Sequence, residues 1–280
     1  MPKNVVAMTL MPGGIKRGGS SDRNNTDYYH TTVITWQWWC KQHDVEFIFL
    51  NEPSSNENIK DLSPTYQRWA VLPDIFKKYE PGTKIAVVDA DTMIKWDTPN
   101  FFNDLPTNKL NAVLDPSIEW APRSMQFYSP LFPGIELKMN EYINCGMVIL
   151  DDSQVPFLEK FIQFVINNKE KLLDIQNNSG WDVGSDQTPF NLFRKMLNHP
   201  VNLLPRAFNR TWCFGDIPYK KEYTPEQIHG LLNFVVFKGV PEGHLFDFMK
   251  DGYIWHFNSS LPYRDKLIAE SWRRVSKYYT

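Results

Sequence analysis

Apolar positions in the first hundred residues follow two alternating periods. Asn4 to Leu10 (NVVAMTL), Val45 to Leu50 (VEFIFL) and Ile85 to Val88 (IAVV) are short apolar runs of strand length. Thr26 onward (TDYYHTTVITWQWWCKQH) predicts a helix with Thr26 or Asp27 near its cap. Ser63-Pro64 predicts the start of a second helix running through Tyr79, with Pro73 expected to kink or split it. Strand, helix, strand, helix, strand is the pattern of a parallel sheet covered on both faces. Ligands of such sheets bind outside the carboxyl ends of the strands. The segment PGGIKRGGSSDRNN after the first strand reads as a loop, either a plain connection or an active-site lid.

The second half is less regular. Asn111 to Leu114, Tyr142 to Leu150, Val201 to Leu204, Phe234 to Phe237 and Gly252 to Phe257 are expected strands. Asp115 to Tyr142 reads as a long irregular segment, broken by Pro116, Pro122, Pro130 and Pro133. Val155 to Leu173 predicts one helix. Gly184-Ser185-Asp186-Gln187 is expected to cap another from Thr188 to Leu197, and the tail from Leu267 is helical. With no internal repeat and no clean linker, one domain is the economical reading.

Composition narrows the function classes. With 42% hydrophobic residues in 280, the chain can bury a sizeable core. A net charge of -2 gives no electrostatic case for nucleic acid as the main partner. Cys40, Cys145 and Cys213 are far apart, show no paired metal spacing and fit a reducing compartment. No apolar run approaches a membrane span or a signal peptide, so a soluble, cytoplasmic protein is expected.

The sharpest chemical signal is Asp89-Ala90-Asp91, which closes the apolar run IAVV. A lone Asp-x-Asp is weak, and Asp91 capping a turn with Asp89 in water would account for it. At the end of a buried strand, however, two carboxylates repel unless something positive sits between them. Mg2+ or Mn2+ supplies that charge and also binds phosphate oxygens. Two enzyme classes put such a pair here. In a haloacid-dehalogenase-like phosphatase Asp89 is a nucleophile and a later acidic pair, here Asp151-Asp152, follows another strand. In a nucleotide-sugar transferase the aspartates hold a metal on a diphosphate. A non-catalytic sugar-nucleotide or carbohydrate-binding module is the third reading.

Six stretches in order resemble the GT-A fold glycosyltransferases, most closely the glycogenin-like and lipopolysaccharide-galactosyltransferase-like group. They are RWAVLPDIFKKY, IAVVDADTMI, YINCGMVILD, Ser185-Asp186-Gln187 followed by Asn191, LLPRAFN and Ile254-Trp255-His256-Phe257. The resemblance implies an α/β GT-A (Rossmann-like) fold with a central mixed, mainly parallel sheet flanked by helices. It also implies a nucleotide-binding half up to residue 100 and a donor-sugar and acceptor half beyond it. The implied reaction moves a hexose from a nucleoside diphosphate sugar, with a UDP-sugar expected, to a hydroxyl of a glycan, protein or lipid-linked acceptor. The resemblance implies retention, while an inverting reaction with Asp186 as base stays open.

Roles follow residue by residue from the same resemblance. Asp89, Asp91 and His256 would hold Mn2+ or Mg2+, and Asp89 with Ala90 would face the ribose side of the donor. Thr9, Leu10 and Met11 would hold the nucleobase, assisted by Tyr28. Arg68 would contact donor phosphate or sugar, or else lie on a solvated helix face. Asn144 and the Cys145-Gly146 backbone would line the sugar, where Gly146 permits close approach. Asp186 would bind sugar hydroxyls, or merely cap its helix, and Gln187 would lie near the anomeric carbon, both positioned by backbone donors at the helix start. After His256 the chain reads HFNSSLPYRDK and departs from the family's basic residue, so Arg264 or Lys266 would grip the diphosphate at a different spacing. The stretch Trp120 to Glu141 and the tail after Pro218 are expected to shape the acceptor site, with Trp120, Phe127, Tyr128 and Trp212 as candidate stacking platforms.

Overall fold

The computed structural model describes residues 3–10, 29–52, 54, 57–60, 62–117, 120–180, 183–211, 249–258 and 264–280. The strands are β1 (Val5–Thr9), β2 (Glu46–Leu50), β3 (Lys84–Asp89), β4 (Thr92–Ile94), β5 (Leu110–Leu114), β6 (Ile143–Asp151), β7 (Val201–Leu203), β8 (Arg210–Thr211) and β9 (Ile254–His256). The helices are α1 (Tyr29–Gln42), α2 (Pro64–Phe76), α3 (Trp120–Tyr128), α4 (Val155–Asn167), α5 (Lys169–Asn178), α6 (Gln187–Met196) and α7 (Arg264–Val275). The loop at 12–25, the cap at Thr26 or Asp27, and the expected strand Phe234–Phe237 lie outside the described residues, as do Met11, Tyr28 and Trp212.

The main sheet has the order β2-β1-β3-β6-β5-β7. β1 is parallel to β2 and β3, β5 is parallel to β7, and β6 runs antiparallel to both β3 and β5. The sheet is therefore mixed and mainly parallel, as expected. Successive residues of a strand face opposite sides. Val5, Ala7, Ile85 and Val87 pack into one core with Tyr66, Trp69, Leu158, Phe161 and Phe190. Val6, Met8, Ala86 and Val88 pack into a second with Trp36, Trp39 and Phe101. Burial on both faces explains why these strands read as continuous apolar runs rather than alternating ones.

Reversal of β6 decides what meets what. Its register sets Lys84 opposite Asp151 and Val88 opposite Met147. The start of β6 thus lies beside the carboxyl end of β3, while Asp151 lies at the far end, about 17 Å from Asp89 at ~3.3 Å per residue. Asp151 instead accepts from the backbone N–H groups of Ser153 (3.0 Å) and Asn108 (2.9 Å), the work of a local cap. The acidic pair Asp151-Asp152 therefore cannot join Asp89, which removes the arrangement on which the phosphatase reading depended.

Three expectations about helices are corrected. The segment from Asp115 contains α3, because Pro122 falls in the first turn, where a missing N–H costs nothing. The expected helix from Val155 to Leu173 is two helices, divided at Asn168, whose φ of -115° and ψ of 14° leave the helical region. Its side chain donates to the Phe164 carbonyl at 2.9 Å, a competition with the backbone ladder that favours a break. α2 runs through Pro73 without splitting and ends at Phe76 rather than Tyr79. No helix among the described residues is long and apolar enough to cross a membrane.

Behind the sheet, His199 stacks on Phe157 at 4.1 Å and bonds Gln154. Burial, then the nearby Arg194, lowers its pKa from 6.5 to about 4. The unfolded chain therefore takes up this proton first as pH falls. The stability contribution is complete above about pH 6.5 and is lost as pH drops toward 4. About 1–2 kcal/mol is expected after discounting for partial exposure. Urea unfolding of wild type and His199→Leu at about pH 7 and about pH 4.5 checks this: the variant should lose the step.

Candidate active site

Asp89 ends β3, and a tight turn through Ala90 and Asp91 leads into β4. Every carbonyl of that turn is tied. Thr92 Oγ1 donates to Asp89 O at 2.6 Å, Thr32 Oγ1 to Ala90 O at 2.6 Å, and the Phe257 N–H to Asp91 O at 2.9 Å. The two carboxylates thus project from rigid backbone. β9 lies between β4 and β8, with His256 opposite Thr92 and Thr211. This register brings His256 Nε2 to 3.4 Å from Asp91 Oδ1 and 3.7 Å from Asp89 Oδ2. One ligand atom from each of the three residues lies within 4.8 Å of the others.

Charge balance at this rim is unusual. Desolvation raises the Asp89 pKa, against the pull of Arg68, and Asp91 raises it further. Burial alone would lower His256, but Asp91 and then Asp89 outweigh it and hold the ring above its ordinary value. Two carboxylates and an imidazole fit Mn2+ or Mg2+ by donor chemistry, and a divalent cation would relieve the repulsion that raises Asp89.

Arg68 is buried rather than on a solvated face. Its Nη1 meets Asp89 Oδ1 and its Nη2 donates to Asp186 Oδ2 at 2.8 Å. Burial alone would lower its pKa, but Asp186 and Asp89 raise it. Asp186 makes no side-chain cap to α6. Its Oδ2 is taken by Arg68 and by Trp69 Nε1 at 2.7 Å, so side chains of α2, not backbone donors, position it. The preceding Ser185 is held from α2 as well, its carbonyl by Tyr66 OH at 2.8 Å and its hydroxyl by Thr65 at 2.7 Å.

Gln187 bridges β6 and the residue that follows β5. Its Oε1 accepts from the Cys145 N–H and its Nε2 donates to Asp115 Oδ2, each at 2.9 Å. Asn144 donates to the same Asp115 oxygen at 2.7 Å. Gly146 sits so close to His256 that a Cβ would lie 2.2 Å from the ring's Cε1. Thr9 stands opposite Asp89 in the β1–β3 register, with Leu10 next along the chain, so both reach the same edge. Arg264 and Lys266 stand in the first turn of α7.

Asp115 and Asn209 belong to this cluster and were missed as site residues. Asp115 carried the signal used for Asp89, a carboxylate closing an apolar strand, here NAVL. Asn209 ends the stretch LLPRAFN, which carried the resemblance without assigning this residue a role. Among the candidate stacking aromatics, Tyr128 is buried and donates to the Gly184 carbonyl at 3.0 Å. Trp120 covers Gly184, where a Cβ would lie 2.6 Å from its ring.

A mixed, mainly parallel sheet flanked by helices matches the GT-A glycosyltransferase fold. Solved structures of that kind align along nearly the whole chain. A glycosyltransferase involved in glycosylation of the major capsid of PBCV-1 aligns with a TM-score of 0.52 and 12% identity, over 96% of this chain and 100% of that one. The bifunctional glycosyltransferase WbbM aligns with a TM-score of 0.50 and 14% identity, over 99% of this chain. This chain spans 52% of WbbM. The galactosyltransferase LgtC, solved with donor and acceptor sugar analogs, aligns at a TM-score of 0.47 with 14% identity, over 98% of this chain and 95% of that one. No family model and no curated protein matches the chain. At these identities the likeness to the first two establishes the fold alone.

Proposed function

We propose that this protein is a metal-dependent glycosyltransferase. It moves a hexose from a nucleoside diphosphate sugar, with UDP-sugar the expected donor, to an acceptor hydroxyl with retention. The observation that carries the reading is the convergence of two constellations on one sheet edge. Asp89, Asp91 and His256 lie within 4.8 Å of one another, and Arg68 ties Asp89 directly to Asp186 beside Gln187. A cation bound by the first three would offset the charge that builds on the leaving diphosphate.

The remaining work falls to the chain's own groups. Asp186, locked by Arg68 and Trp69, presents a fixed acceptor for sugar hydroxyls. Gln187 and Asn144, both anchored on Asp115, line the sugar without freedom to swing away. Thr9 and Leu10 hold the base, and Arg264 or Lys266 closes on the diphosphate. An inverting reaction through Asp186 is disfavoured because its Oδ2 already accepts from Arg68 and Trp69, which hold the carboxylate in place rather than free to move onto an acceptor hydroxyl. Buried, free Cys40 and Cys145 support action in the reducing cytoplasm.

Thermal-shift measurement with Mn2+ against UDP, GDP, dTDP and several UDP-sugars tests the reading. Ligand at about 100 times its Kd stabilises the native state by about 2.7 kcal/mol. A Mn2+-dependent shift with one nucleotide, lost in Asp91→Ala, is expected. Equal shifts with and without Mn2+, or none with any nucleotide, would overturn the metal–diphosphate site.

A further inference from the structure

Two buried side chains, Asn144 and Asn209, connect Asp115 to His256. Asn144 Nδ2 donates to Asp115 Oδ2 at 2.7 Å. Asn144 Oδ1 accepts from the Gly146 N–H and from Asn209 Nδ2, each at 2.8 Å. Asn209 Oδ1 then faces His256 Nδ1 at 3.0 Å. All four side chains are at least nine-tenths buried.

Which end of each amide is oxygen is settled by groups that cannot change role. An ionised carboxylate only accepts, so the end of Asn144 that meets Asp115 is its NH2. A backbone N–H only donates, so the end that meets Gly146 is its oxygen. With that oxygen fixed, Asn209 must offer its NH2 to it. The remaining end of Asn209, an oxygen, faces the histidine ring, and a hydrogen bond there requires a proton on His256 Nδ1.

We propose that Asn209 is a positioning residue, the last link of a directional relay running Asp115–Asn144–Asn209. The relay fixes the His256 tautomer and presents a bare Nε2 to the cation site at Asp89 and Asp91. This rests on the metal-dependent reading for its purpose; the tautomer rests on the Asn209 contact at Nδ1, which competes with Asp91 Oδ1, 3.4 Å from Nε2. The local fold supports the alignment. Asn209 closes a turn at Arg206–Asn209 just before β8, and β8 pairs with β9 so that Thr211 lies opposite His256. The missing side chain of Gly146 leaves room for the ring against Asn144. Asp115 also holds Gln187, so one carboxylate orients both the metal ligand and the residue expected at the anomeric carbon.

The first arm of the test needs no metal and no activity. Two-bond 1H–15N correlation spectra of 15N-histidine-labelled, metal-free protein at alkaline pH report the neutral ring. His256, assigned with His256→Gln, should carry its proton on Nδ1; a proton on Nε2 would overturn the relay whatever the cation does. The second arm compares Mn2+ affinity, read from the EPR signal of free Mn2+, in wild type and Asn209→Leu. Loss of such an outer partner weakens metal binding by about 10–100-fold. An unchanged affinity in a folded Asn209→Leu would overturn the positioning role. If wild type shows the Nδ1 proton but binds no Mn2+, the relay stands and the metal-dependent transferase reading fails.

Discussion

Replacing Arg68 with Met is expected to lower the stability of the metal-free protein by about 3–5 kcal/mol, read from urea unfolding at neutral pH. The guanidinium pairs with Asp89 and Asp186 at once, and its own exposure is only 2%. Removing it strips the partner from buried Asp186, and leaves Asp89, which is 29% exposed, next to Asp91 with no opposing charge from α2. A buried charge stripped of its partner costs far more than the pair contributed. Arg68→Lys should fall between the two, because one ammonium cannot reproduce a fork that serves two carboxylates in fixed directions. Adding Mn2+ separates the contributions. A cation at Asp89 would replace part of the lost charge, so Mn2+ should stabilise Arg68→Met by more than it stabilises wild type. Asp186 would still lack its partner, and recovery should be incomplete. A loss below about 1 kcal/mol would show that the carboxylates take up protons or water at little cost, and that the ion pairs do not organise the site.

Legibility from sequence followed the range of each interaction. β1, β2 and β3 could be read because burial on both faces makes their residues apolar without interruption. Asp89 and Asp91 stood out against that background, and the expectation that they share a cation followed from simple repulsion. Strand direction could not be read, since a reversed β6 and a parallel one share the same apolar run. Yet that reversal carries Asn144, Cys145 and Gly146 to the site and Asp151 away from it. The partners of Asp186 were hidden for a related reason. A residue at a helix start reads as a cap, and only the packing of α2 against α6 reveals that Arg68 and Trp69 claim its carboxylate instead. Asn209 stood in the resembling stretch LLPRAFN but drew no role, because an amide's importance lies in which way it points, and that is set by the distant Asp115 through Asn144. Even α3 was obscured by the prolines around it, of which only Pro122 falls inside the helix, in a turn that tolerates it.

Gly146→Ala is expected to disable the site with one added methyl group. The new Cβ would lie 2.2 Å from His256 Cε1, 2.7 Å from Nδ1 and 2.9 Å from Asn144 Oδ1. Such a clash is cheap when the neighbour is the loose end of a surface chain. Here the ring is buried, sits on the middle strand of the small sheet and bonds Asn209. Nor can β6 retreat easily, with hydrogen-bonded neighbours on both sides and every residue buried. The ring must therefore turn or shift, breaking its alignment with Asp89 and Asp91. Overpacking of this kind costs about 1–3 kcal/mol, which the fold should survive. Function should not. With His256 displaced, the Mn2+-dependent thermal shift should vanish, and any transfer rate should fall by roughly 100- to 1,000-fold, the scale of losing one preorganised electrostatic group. A Gly146→Ala protein that binds Mn2+ and nucleotide like wild type would mean that His256 does not serve the cation from the position described.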